Sequence, residues 1–151
     1  MADPALAKVI RQIESFGGNP QAIRFEPGVY SWEVNVFNRT ATVQNIASIH
    51  QCTQATAHVL FSMSFGMYQE MGFNLWDRSQ MLCKDTFYDF VADDDAQHAA
   101  FAGYLTFHDI DYTLADMLAD QAKMDHWVKI WNGPGAVPGY EAEIRKYAAS
   151  P

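Results

Sequence analysis

Cysteine is almost absent: Cys52 and Cys83 are the only two in 151 residues. Two thiols do not make the disulfide framework of a small secreted scaffold. A reducing cytoplasm is the compartment this implies, with each thiol a buried free cysteine. Basic residues are also scarce, ten Lys and Arg against eighteen Asp and Glu, for a net charge of -8. No basic run exists to neutralise phosphates, so a nucleic-acid partner is not expected, and anionic membrane surfaces are disfavoured on the same ground. Long apolar runs are missing too. The most apolar stretch, Val59 to Tyr68, is interrupted by Ser62, Ser64 and Gly66 and is too short to span a bilayer. The first residues lack a charged segment followed by an apolar one, so they do not read as a signal peptide.

What is present is apolar and aromatic. Hydrophobic residues are 49% and aromatics 14% of the chain, enough to bury one core and too many for a disordered segment. One domain over residues 1–151 is expected.

Helical periodicity dominates. Leu6, Val9, Ile10, Ile13 and Phe16 mark a first helix over about 4–16, ended by Gly17-Gly18-Asn19-Pro20. Residues 20–40 read as irregular. There Tyr30, Trp32, Val34 and Val36 alternate with polar residues, as a short extended segment or, preferably, a loop with its aromatics turned inward. From Thr42 to Met71 the chain reads as one long central helix. Asp77 and Gln80 resemble a capping box before a helix over about 78–92, and Asp93-Asp94-Asp95 opens another reaching about 107. Thr113 and Asp116 form the clearest start signal, for a helix running to about Asn132 and stopped by Gly133-Pro134-Gly135. A short tail helix follows over about 139–148. The fold class is all-α: a four-helix bundle with a loop-rich N-terminal segment and a short C-terminal helix.

No zinc signature, phosphate loop or serine-nucleophile elbow occurs. Five histidines carry what functional signal there is. His50 lies near the stripe of Ile46 and Ile49, either as a half-buried ring bonded to a carbonyl or as a metal ligand. His58, eight residues on, points about 80° away and reads as surface or interface. Asp95 and His98 share a helix face, as a ligand pair or as ordinary capping. His108 sits in a turn near Asp111. His126 needs a partner from another helix. Glu33, Glu70, Asp85 and Asp89 are candidate carboxylates that spacing does not separate.

Two stretches, Tyr30-Ser-Trp-Glu33 with Thr42 to His50, and Thr113 to His126, resemble the DinB/YfiT-like family of four-helix bundle proteins. They cover about a third of the chain. The resemblance implies a divalent metal (Zn, Ni or Fe) held by histidines of the second and last helices. His50 and His126 take the outer positions. The middle one falls on Ala122, so Asp95 or His98, or else His108, would have to complete the set. It further implies an enzyme that transfers a thiol to, or hydrolyses, a small apolar electrophile, the metal lowering the pKa of the nucleophile. The competing reading is a non-catalytic module that binds a small apolar molecule or forms a homodimer, with His50 and His126 as core groups.

Overall fold

The computed structural model describes residues 2–37, 39–77, 79–80 and 82–150. The class is all-α, with one small sheet. Helix α1 spans Pro4–Ser15, and Asp3 caps it by accepting from the Ala5 amide at 3.1 Å. Strand β1 (Ile23–Phe25) leads to α2 (Pro27–Trp32), which winds on as a π-helical turn over Glu33–Phe37. Then come α3 (Thr40–His50), α4 (Gln54–Phe61), β2 (Met63–Phe65), β3 (Glu70–Met71) and α5 (Gly72–Leu75). The second half holds α6 (Phe87–Ala92), α7 (Asp94–Phe107), α8 (Leu114–Ala119), α9 (Gln121–Asn132) and α10 (Val137–Ala148). Among the described residues, no helix is long and apolar enough to cross a membrane.

Local chemistry sets several of these ends as expected. Thr113 accepts from Asp116 N at 3.2 Å while the Asp116 carboxylate takes the Thr113 amide at 2.8 Å, closing the capping box. Asp93 caps α7, and Gly133 ends α9.

Elsewhere the expectations fail. The helix expected over 42–71 breaks into two helices and a hairpin. Gln51 turns left-handed at φ 49°, Thr53 recaps the chain as α4, and the small residues Ser62, Ser64 and Gly66 build the hairpin. The segment at 30–36 is neither extended nor a loop, because Pro27 at the first helical position starts a helix there. The helix expected at 78–92 begins only at Phe87; Arg78 and Met81 lie outside the described residues. Asp77 closes a turn instead, accepting from Ser79 N and from Thr42 Oγ1, both at 2.8 Å. Asp120 accepts from Ala122 N at 2.9 Å, dividing the last long helix into α8 and α9. Phe16, expected on the buried stripe, is 99% exposed because its left-handed backbone at the end of α1 turns it outward.

The sheet runs β1-β2-β3, antiparallel throughout, with Ile23 opposite Phe65 and Phe65 opposite Glu70. Two apolar clusters flank it. One joins α1, α7, α8, α9 and α10 around Ile10, Phe101, Met117 and Trp127. The other joins α3, α4, α5 and α6 around Ile46, Phe61, Trp76 and Phe90. Helix α7 serves both, with Ala100 in the second cluster and Phe101 in the first.

The hairpin is fastened between them. Gln97 of α7 accepts from Met67 N at 2.7 Å and donates to the carbonyls of Pro20 and Phe90. Gly66 makes room for it at φ +76°, since a Cβ there would sit 2.2 Å from Gln97 Oε1. Ser15, the last residue of α1, donates to the Met67 carbonyl at 2.8 Å. Gln69 donates to the carbonyls of Ala22 and Gly66 and accepts from Ser64 Oγ.

Candidate active site

A cleft of about 680 Å³ opens where the hairpin meets the ends of α1, α7 and α9. Glu14 lines it from α1, Arg24 and Glu26 from the β1 end, and Gln69, Glu70 and Met71 from the hairpin. Phe73 and Asn74 of α5, Tyr104 and Phe107 of α7, and Lys129 to Gly133 of α9 complete the walls.

Glu14 is placed by the periodicity of α1. It follows the fully buried Ile10 by four residues, about one turn, so the apolar stripe runs on to a carboxylate. Ser15 then pins this end of the helix to the hairpin. Glu14 Oε1 accepts from Trp131 Nε1 at 3.0 Å and from the Tyr140 hydroxyl. Oε2 carries no hydrogen bond among the described residues. Burial raises the Glu14 pKa above the usual carboxylate value. The Tyr140 and Trp131 hydrogen bonds and the charge of Arg24 oppose the rise, and the charge of Glu26 adds to it. Glu26 is therefore within electrostatic reach. It is itself partly exposed, and it accepts from Arg24 Nε.

The cleft thus holds two carboxyl groups in unlike settings. One, half-buried against Trp131 and Tyr140, stands where burial favours its protonated form; the other, also partly exposed, is paired with a guanidinium. Such a division separates an acid from a base or nucleophile at neutral pH. A third carboxyl, Glu70, is 3% exposed, and neither of its oxygens has a hydrogen-bond partner among the described residues. Burial pushes it up to about 8.

Of the residues singled out by sequence, Glu70 and His108 line this cleft and the others lie elsewhere. His50 is saturated: Nδ1 lies 3.0 Å from the Ile46 carbonyl, and Nε2 accepts the Phe87 amide at 3.0 Å. It packs edge-on against Trp76 and stacks on Phe87. The ring closes the open N-terminus of α6, whose first amides have no helical acceptor. His126 is exposed on α9 with Nδ1 2.7 Å from the Tyr112 hydroxyl. His98 Nδ1 lies 2.6 Å from the Tyr68 hydroxyl, and Asp95 is exposed in the first turn of α7. Among the described residues, no three or more His, Cys, Asp or Glu side chains are grouped so as to hold a metal ion. His58 is half-buried, its Nδ1 without a partner among the described residues, and His108 lines the cleft. Of the carboxylates considered, Glu33 is fully buried and accepts the Arg39 amide, while Asp89 pairs with the Thr86 hydroxyl. Cys83 is buried and Cys52 partly so; burial raises both thiols, Cys83 to about 11, which disfavours the reactive thiolate.

His50 carries a stability prediction. Burial lowers its pKa, so the folded state prefers the neutral ring. Its contribution is complete above the ordinary histidine value and is lost as pH falls through that value toward the lowered one. Protonation would also remove the acceptor that holds Phe87 N. The urea midpoint is expected to fall between pH 7 and pH 5 by more in the wild type than in His50→Gln. Equal falls would show that the ring does not report on folding.

Glu14 and Glu26 escaped the sequence reading. The available signal was a carboxylate continuing an apolar helical stripe just before Gly17-Gly18, where an ordinary surface residue has no reason to sit.

No family model matches the chain, and no solved structure matches it. It is similar to a protein named endolysin from Enterobacteria phage PRD1, 28% identical over 133 residues, which cover 83% of each chain.

Proposed function

We propose that this protein is an endolysin-like enzyme that cleaves glycosidic bonds in the glycan strands of a bacterial cell wall, with Glu14 as general acid and Glu26 as the second carboxylate. The observation that carries the reading is the environment of Glu14: a carboxyl lining an open cleft, raised in pKa by burial, and held in place by Trp131 and Tyr140. Glycoside cleavage needs a proton delivered to the leaving oxygen and a carboxylate that stabilises the developing cation or activates water. Glu14 suits the first role. Glu26, partly exposed and paired with Arg24, suits the second. The similarity to a phage endolysin over most of both chains supports the substrate class.

The positions of the side chains suit a polymer. The cleft is open, and Phe73 and Phe107 stand on its walls as apolar faces for sugar rings. Phe107 is 49% exposed, which leaves its ring open to contact. Such a substrate lies outside the cytoplasm, so the compartment of action differs from the one that cysteine scarcity suggests.

The test is digestion of purified peptidoglycan. Wild-type protein is expected to clear the suspension and release saccharide fragments bearing new sugar ends. Glu26→Gln should slow release by about 10²-fold or more, within the range for loss of a catalytic acid or base. Release of new free amino groups without new sugar ends would show amide cleavage and sink the glycosidase reading. Full activity of Glu26→Gln would remove that residue from the mechanism.

A further inference from the structure

Resting on the reading of the cleft as a glycan site, we infer that Glu70 and Gln80 form a sugar-binding subsite within it, which takes hydroxyl and amide donors of an uncharged saccharide unit. Both residues line the cleft. Glu70 Oε1, Glu70 Oε2 and Gln80 Oε1 are all buried, and none has a hydrogen-bond partner among the described residues. Buried polar atoms are ordinarily bonded, because desolvation without a replacement bond is costly. Three such oxygens on two residues that line one cleft point to donors supplied from outside the chain.

The chemistry of that donor follows from the surroundings. Three cations, Arg24, Arg39 and Lys129, and three carboxyls, Glu14, Glu26 and Glu70, line the cleft together, a mixed field that selects neither sign of charge and suits an uncharged ligand. Among the described residues, no cation is paired with Glu70, and burial alone sets its protonation. The titratable groups that feel its charge are the phenols of Tyr68 and Tyr104 and the thiol of Cys83, all held above their ordinary values. At neutral pH the carboxyl is therefore mostly a neutral acid, with one O–H to donate and one oxygen to accept. Vicinal hydroxyls of a sugar match that pair, and the Gln80 carbonyl accepts a further O–H or N–H.

Binding of soluble, peptide-free glycan strands tests this, read by Trp131 fluorescence because that indole lines the cleft. The strands stay whole in protein inactivated by Glu14→Gln. Adding Glu70→Leu is expected to weaken binding at least tenfold, and Gln80→Leu severalfold. Glu70→Gln, which keeps one donor and one acceptor, should stay within about threefold of the parent. Thermal melts confirm that each variant is folded. Parent-like binding by Glu70→Leu and Gln80→Leu overturns the subsite, leaving these oxygens merely hydrated. Strands that fail to bind the parent overturn it too, and wall digestion by the wild type then shows whether the glycosidase reading has fallen with it.

Discussion

Glu14→Gln is expected to lower the rate of wall digestion by about 10³-fold while leaving the fold intact. A positioned general acid contributes on the order of 10² to 10⁴ in rate, and an amide cannot deliver the proton. The substitution preserves an oxygen acceptor for Trp131 and Tyr140, so the local packing has no reason to change. The stability effect has a definite sign. A carboxyl whose folded pKa is raised above its unfolded value contributes most below the unfolded value. That contribution is lost as pH rises toward the folded one. Glu14 is such a group, and Glu70, at about 8, is a stronger case. Glu14→Gln should therefore be at least as stable as the wild type at pH 7, the usual trade of stability against activity. The pH profile gives a second readout. Activity should fall at high pH as Glu14 loses its proton, at a midpoint above the ordinary carboxylate range because burial dominates its shift. A Glu14→Gln protein that digests walls at the wild-type rate would refute the assignment, and unchanged melting would remove misfolding as an excuse.

Gly72→Ala is expected to cost more than about 3 kcal/mol, at the severe end for a single added methyl. A Cβ at this position would lie 2.0 Å from the Leu60 carbonyl oxygen, 2.9 Å from its carbon and 3.3 Å from Phe61 Cα. All three are backbone atoms, so no side-chain rotation relieves the overlap. The end of α4 and the start of α5 would have to part, and with them Phe73 and Asn74 on the cleft wall. For a chain of this size the melting temperature should fall by at least about 6 °C. Gly139→Ala in α10 is the control. A Cβ there meets nothing within 4 Å, and the change should stabilise the helix by up to about 1 kcal/mol. A Gly72→Ala protein as stable as the wild type would show that the two helices do not approach so closely.

The helix ends built from neighbouring residues were legible in advance. Thr113 with Asp116, Asp93 before α7, and Gly133 after α9 each satisfy backbone groups within a few positions of themselves. The stretch from 42 to 71 was not. Its apolar residues fit a helical stripe, yet three small residues and tertiary pairing with β1 made its second half a hairpin. Periodicity reports which residues are buried and does not separate a helix from short strands that bury the same side chains. His50 illustrates the same limit in another form. A ring near an apolar stripe has some partner, but whether a carbonyl and an amide or a metal fills that role depends on α6, 37 residues further on.

The amino-acid sequence by itself determined that the chain is acidic and helical in class, where several helices begin and end, and that α1 carries an apolar face. Only the tertiary structure decided that the Glu14 carboxyl matters. Its two hydrogen-bond partners stand 117 and 126 residues away, and Glu26 reaches it only because Ser15 and Gln69 tie the hairpin and the β1 segment to the end of α1. Burial, which sets the protonation of Glu14, is a property of walls contributed by distant helices. No local pattern of residues encodes it.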